Sequence, residues 1–376
     1  MNESADGEEE AGSENITITR RHDISLSYKL ISSIMRLLRP HLATPPKNKY
    51  PPGSPRLRKH PKHIKTTRII EREITVPLHP LPDSDPGSNV ANKSASLWVY
   101  EFHPPKRASH GSKPRPGPAH TIFYFCGGGF QAPALAEHWK LCAHLAAHLP
   151  RARVVLVSYP LAPHSPAKDA LPLLRAWLAR ALEEQHEHGA VSLAGDSAGA
   201  NIALSLALWC ADQLAGIGTE RSAGGSAAKA EHFRKLRSVL AISPPTDFRN
   251  TNPAIARADA QDPVLGKRVA DRAAAVWTAG GGDAADPYLS ANLADLASVR
   301  AAGLRVDGVV GTADVLAPDE LVFVERCRRA GVKGKWLVWE GQMHVFPLTA
   351  CYGLREAREA RSWVVDVLRE ITAAGA

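Results

Sequence analysis

Hydrophobic and polar positions along the chain follow two spacings. Over 70–76 and 97–102 they alternate in the manner of paired strands, with a Pro/Gly/Ser/Asn loop between. Shorter, nearly continuous apolar runs at 121–125, 154–157, 190–194, 239–242, 306–310 and 336–339 suit strands covered on both faces. Helical spacing fills 135–149, 168–184, 198–215, 317–330 and 352–373. Strands and helices alternating at these lengths predict an α/β fold, a mainly parallel sheet covered by helices on both faces. Near the start, Leu26, Leu30, Ile31, Ile34, Met35 and Leu38 recur at helical spacing, with Lys29, Arg36 and Arg39 on another side.

These patterns divide the chain. Residues 1–23 read as an acidic, disordered tail. Residues 24–68 read as an amphipathic helix followed by a stiff linker with Pro45, Pro46, Pro51, Pro52, Pro55 and Pro61, then Arg56, Arg58, Lys59, Lys62, Lys65 and Arg68. The helix suits either a cap over the main domain or a membrane interface, and the basic linker either a spacer or a lipid-headgroup contact. Residues 69–376 form the α/β unit. Within it 103–119 is expected to be an exposed loop and 216–230 a flexible insertion. Residues 252–282 interrupt the rhythm and are expected to form a helical cap with the N-terminal helix.

Composition removes several classes. The formal charge is +8, but many of the basic residues lie in the N-terminal third, and no nucleic-acid-binding motif accompanies them, so nucleic acid is not the expected partner. Cys126, Cys142, Cys210, Cys327 and Cys351 are odd in number and lack a C-x-x-C pair, which argues against a disulfide framework and a zinc site. No metal or cofactor is expected. The acidic start is the reverse of a secretory leader, and no run of eighteen uncharged apolar residues occurs. The expected location is intracellular, cytoplasmic or peripheral to a membrane such as the endoplasmic reticulum.

The candidate chemistry sits at strand ends. Gly195-Asp196-Ser197-Ala198-Gly199 follows one apolar strand and opens a helix, the strand–turn–helix setting of a nucleophile elbow. Its glycines suit a turn too sharp for side chains, and Ser197 would face a helix N-terminus that favours negative charge. Cys126-Gly127-Gly128-Gly129-Phe130 also follows a buried strand, and bare amides there could hold an oxyanion. His344 is the only one of sixteen histidines beyond His232, and it follows the 336–339 strand. Asp314 follows the 306–310 strand, while Asp307 lies inside that strand and Asp319 on the next helix. The order Ser197, Asp314, His344 is that of α/β-hydrolases.

With the triple glycine, the G-D-S-A-G elbow, Gly311-Thr312-Ala313-Asp314-Val315-Leu316 and the late His344-Val345-Phe346, the chain resembles the hormone-sensitive-lipase-like branch of α/β-hydrolases. Within it, it is most similar to fungal steryl acetyl hydrolase-type esterases. Ser158-Tyr159-Pro160-Leu161-Ala162-Pro163 resembles the family's D-Y-R-L-A-P, and Asp286-Pro287-Tyr288-Leu289-Ser290 its D-P-x-x-S. The resemblance implies oxyanion donors at the N–H groups of Gly128, Gly129 and Ala198. Cys126 replaces the family's histidine before the glycines, which puts the loop's geometry in question. Ser158 and Pro160 replace an Asp and an Arg, removing an internal ion pair.

The expected activity is serine carboxylic-ester hydrolysis through an acyl-enzyme on small hydrophobic esters, with short-chain acyl or steryl esters as candidates. The rival readings are a non-catalytic, receptor-like ligand-binding hydrolase, a membrane-surface interaction protein and a peptidase.

Overall fold

In a computed structural model of the chain, the described residues are 8–10, 15–42, 50–57, 60–78, 94–104, 120–186, 189–216, 231–279 and 283–374. Residues 1–7 and 11–14 of the acidic tail, 105–119 of the expected loop, 217–230 of the expected insertion, Arg58 and Lys59, Pro45 and Pro46, and the end of the cap segment at 280–282 lie outside them.

Eleven strands among these residues form one sheet: β1 (Glu8–Glu10), β2 (Ile16–Arg21), β3 (His63–Ile64), β4 (Thr67–Pro77), β5 (Ser94–His103), β6 (His120–Phe125), β7 (Ala152–Ser158), β8 (Ala190–Asp196), β9 (Leu236–Ile242), β10 (Arg305–Gly311) and β11 (Gly334–Trp339). Their spatial order is β1-β2-β11-β10-β9-β8-β6-β7-β5-β4-β3. Neighbours from β2 through β7 run parallel, while β1 and the β5-β4-β3 flank are antiparallel. Every residue of β6 and β8 is buried, whereas β4 mixes buried and exposed positions, as its polar content requires.

Helices α1 (Leu26–Leu42), α2 (Ala136–His148), α3 (Ala167–Glu183), α4 (Ala198–Ala215), α5 (Ile255–Gln261), α6 (Lys267–Thr278), α7 (Ala297–Ala301), α8 (Ala317–Ala330) and α9 (Arg355–Ala374) surround the sheet. Packing between layers is aromatic in places: Trp177 of α3 meets Phe123 and Phe125 of β6 edge-on, at ring distances of 4.7 and 6.2 Å. The chain leaves β6 toward β7 on one side, then crosses back to β8 on the other. Such a reversal opens a crevice at the carboxyl ends of the strands, and the glycine loop after β6 and the serine after β8 both face it.

Two expectations about the N-terminal third need correction. Residues 16–21 are ordered as β2, parallel to β11, with Ile16 and Ile18 buried. Flanking bonds extend the pairing, from Gly334 N–H to Asn15 O (3.0 Å) and from Glu340 N–H to Arg21 O (2.8 Å). Nor does the proline-rich segment behave as a free spacer throughout. Gly53 N–H donates to Ser165 Oγ (2.9 Å), Leu57 N–H to Tyr100 Oη (2.6 Å), and Ser158 Oγ–H to Pro55 O (2.7 Å). Ser158, which stands where the resemblance expects an Asp, thus anchors this segment to β7.

The N-terminal helix forms as expected. It buries Tyr28 and half-buries Ile31 and Met35 against the core. It also grips the cap segment, where Arg36 donates to Gln261 O (2.6 Å) and Arg39 pairs with Asp259. Among the described residues no helix is long and apolar enough to cross a membrane.

Candidate active site

Ser197 sits between β8 and α4 with φ 51° and ψ −126°, a backbone conformation that L-residues rarely adopt. Its strain is sustained by what surrounds it. Its N–H donates to Ile242 O at the end of β9 (2.8 Å), and both flanking glycines are forced by close approach. A Cβ on Gly195 would lie 2.6 Å from the Gly199 carbonyl carbon, and one on Gly199 would run into the Phe125 and Cys126 carbonyls. Strand and helix can meet this tightly only without side chains at those two positions.

His344 Nε2 lies 2.9 Å from Ser197 Oγ, and His344 Nδ1 lies 2.6 Å from Asp314 Oδ2. The second contact fixes the tautomer: Nδ1–H donates to the carboxylate, leaving Nε2 to accept from the serine hydroxyl. The loops carrying His344 and Asp314 are fastened to one another. Ala313 N–H donates to Gln342 O (2.9 Å), and Gly341 N–H to Thr312 Oγ1 (2.9 Å). Gly311 lets them close, because a Cβ there would sit 2.5 Å from Gln342 O. On the other side Val345 N–H donates to Ser243 Oγ (3.1 Å). Asp314 is fully buried and its Oδ1 accepts the Leu316 N–H (2.9 Å).

Burial opposes charging His344, but the Asp314 carboxylate outweighs it and raises its pKa above the ordinary histidine value. Two more buried carboxyls stand behind Asp314. Asp262, at the end of α5, accepts the N–H groups of Val264 (2.8 Å), Leu265 (2.9 Å) and Val315 (2.9 Å). Burial, then the Asp314 charge, pushes it well above the usual carboxylate range. The same two causes raise Glu320 on α8, which has no hydrogen-bond partner among the described residues.

The glycine loop after β6 faces the serine. Gly127 N–H is taken by the Asp196 carboxylate, whereas no described acceptor takes the N–H of Gly128 or Gly129. Both glycines have positive φ, 134° and 58°, and Gln131 and Ala132 fold back to donate to Gly128 O (3.1 and 3.0 Å). Ala198 contributes the first N–H of α4, at the positive end of that helix. The loop is braced without the histidine that the resemblance expects before the glycines. Tyr159 Oη donates to Cys126 O (2.9 Å), while burial pushes the Cys126 thiol up and leaves it protonated.

Sequence reasoning missed a second buried pair. Asp196, the residue before the serine, accepts from Tyr124 Oη (2.6 Å) and from His138 Nε2 (3.2 Å), and His138 Nδ1 accepts the Leu135 N–H (2.8 Å). Asp196 therefore ties α2, β6 and the glycine loop to the elbow. Its place inside the motif was visible; its partners were not. Also unforeseen is the aromatic seam of the cap: Trp277 of α6, fully buried, stacks on Phe130 at 4.4 Å and 11°, and Phe248 meets Phe130 edge-on at 5.7 Å. Asn201 in α4 donates to Pro245 O and Leu289 O, so the segment 286–290 supports the elbow helix from below. Among the described residues no group of three or more His, Cys, Asp or Glu side chains is placed to hold a metal ion, and all five cysteines are free thiols.

A family model described as alpha/beta hydrolase fold matches residues 122–348, more than half the chain. An esterase of Acinetobacter venetianus is 24% identical over 245 residues, which span 65% of this chain and 73% of that protein. Among solved structures, an esterase/lipase from an uncultured bacterium superposes with a TM-score of 0.63 at 22% identity, covering 93% of this chain and all of that one. A hyperthermophilic esterase from the archaeon Pyrobaculum calidifontis superposes with a TM-score of 0.60 at 19% identity, over 91% and 93% of the two chains. At these identities the superpositions speak for the fold.

Proposed function

The chain belongs to the alpha/beta hydrolase fold family, and from that premise we propose that it is a serine carboxylic-ester hydrolase with Ser197 as nucleophile, His344 as base and Asp314 as its orienting acid. One observation carries the reading: the unbroken line of hydrogen bonds from Ser197 Oγ through the imidazole to Asp314, at 2.9 and 2.6 Å. The named relatives, both esterases and an esterase/lipase, support the same class.

The geometry supports the following steps. Ser197 Oγ attacks the ester carbonyl as His344 Nε2 removes its proton, and Asp314 stabilises the resulting imidazolium. The carbonyl oxygen becomes an oxyanion within reach of the N–H groups of Gly128, Gly129 and Ala198. The tetrahedral species collapses, the C–O bond to the alcohol breaks, and His344 returns the proton to the leaving oxygen. Water, deprotonated by the same imidazole, then attacks the acyl-enzyme and frees the acid and the serine. Trp277 of the cap, with Phe130 and Phe248 packed against one another beneath it, favours hydrophobic esters. Short-chain acyl esters and steryl acetates are the candidate substrates. The retained base, His344, disfavours a receptor-like role.

Hydrolysis of a p-nitrophenyl acyl series and of a steryl acetate tests this. Activity should fall by about 10⁴-fold or more in Ser197→Ala and in His344→Ala. An unaffected rate in either folded variant sinks the assignment.

A further inference from the structure

Of the eight large apolar side chains exposed among the described residues, five are on α1: Leu26, Leu30, Ile34, Leu37 and Leu38. Leu26 and Leu37 are 82% and 80% exposed, so nothing described covers them. At 100° per residue the five fall within one 120° stripe, beside the face that Tyr28, Ile31 and Met35 press into the core. An apolar stripe this continuous marks a contact surface.

Charge identifies the occupant. Helix α1 carries no acidic residue, Arg36 and Arg39 join it to α5, and Asp259 of α5 in turn accepts the Lys267 N–H that opens α6. Together the three helices hold seven Lys and Arg side chains against two acidic ones, Asp259 and Asp271. Those two are matched by Arg39 and Lys267. Lys29, Arg36, Arg257, Arg268 and Arg272 are exposed and make no ion pair with a described residue. A second copy of the chain, docked symmetrically, would set this positive surface against itself. An anionic phospholipid surface complements both the leucines and the cations.

We propose that the outer face of α1 docks on an anionic phospholipid surface, with Lys29 and the exposed cations of the adjoining α5 and α6 supplying the complementary charge. The helix is wired to the catalytic loop, because Tyr28 Oη accepts the N–H of Met343, one residue before His344 (2.6 Å). Docking therefore sets the site beside a pool of membrane-dissolved esters. Delivery of such an ester to Ser197 rests on the esterase reading; docking itself does not.

Flotation of the full chain with vesicles of phosphatidylcholine, with and without phosphatidylserine, tests the proposal. Wild type and Ser197→Ala should both float with the anionic vesicles. Replacing Leu26, Leu30, Ile34 and Leu37 together by Ser should lower partitioning at least about tenfold, while the circular dichroism spectrum and hydrolysis of a water-soluble ester stay unchanged. Lys29→Glu with Arg268→Glu, or added salt, should weaken binding to anionic vesicles by roughly tenfold. Wild type that stays soluble with both vesicles overturns the proposal, as does an equal partition of the serine variant. A wild-type dimer that the serine variant dissolves, with no flotation, gives the face to a second copy instead. Flotation without ester hydrolysis leaves docking standing and removes the esterase reading alone.

Discussion

Replacing Gly195 by Ala puts a methyl group where the elbow has no room. The new Cβ would lie 2.6 Å from both the carbonyl carbon and oxygen of Gly199, and 2.8 Å from Ala200 N. Ordinary contact begins at 3.4 Å, so β8 and the first turn of α4 must part by 0.8 Å. The obstructing atoms are backbone and cannot swing aside. Ser197 is the joint between those two elements, and its Oγ must stay 2.9 Å from His344 Nε2. A misplacement near 1 Å in a reacting geometry lowers rates by about 10²-fold, and overpacking costs about 1–3 kcal/mol of stability. The expected variant is folded, melts several degrees lower and hydrolyses p-nitrophenyl butyrate about 10²-fold more slowly, chiefly through kcat. Steady-state kinetics beside thermal denaturation read both effects. Wild-type kcat at an unchanged melting temperature would falsify the claim that close packing of strand and helix holds the serine in place.

Other outcomes follow from the same geometry. The reaction needs neutral His344, whose pKa is raised, so kcat/KM should decline as pH drops through a point above 6.5. Asp262 adds to that rise, and Asp262→Asn should move the acid limb to lower pH; a limb that stays put or moves up rules this out. His138→Ala strips the buried Asp196 carboxylate of its ionic partner and should lower stability by about 3–5 kcal/mol in urea unfolding, toward the low end because Tyr124 and Gly127 still donate. Trp277→Ala removes the ring stacked on Phe130 and should cost about 3–5 kcal/mol while raising KM for apolar esters; an unchanged KM would deny the cap a part in binding.

What could be read from the sequence is what local chemistry determines. The buried strands from 121 to 339 announce themselves by composition, because a strand covered on both faces must be largely apolar, as the runs Ile122–Phe125, Leu193–Ala194 and Trp336–Trp339 are. The serine, aspartate and histidine stand out because each follows such a strand, where parallel sheets gather their loops. Strand β2 was lost among acidic neighbours although Ile16-Thr17-Ile18-Thr19 alternates. Its stability comes from pairing with β11, more than three hundred residues away. Asp262, His138 and Trp277 also act through partners distant in the chain, more than fifty residues away in each case, and nothing in their own surroundings in the chain marks them. The segment at 50–57 reads as linker for the same reason, since its Ser54 and backbone bonds lead to β5 and β7.

The most direct measurement is labelling of the folded protein by a fluorophosphonate, with the modified peptide located by mass spectrometry. A hydroxyl activated by the imidazole beside it reacts, and an ordinary serine does not. The account predicts label on Ser197, absent from Ser197→Ala and sharply reduced in His344→Ala. Folded wild-type protein that takes no label, or takes it at another residue, would contradict it.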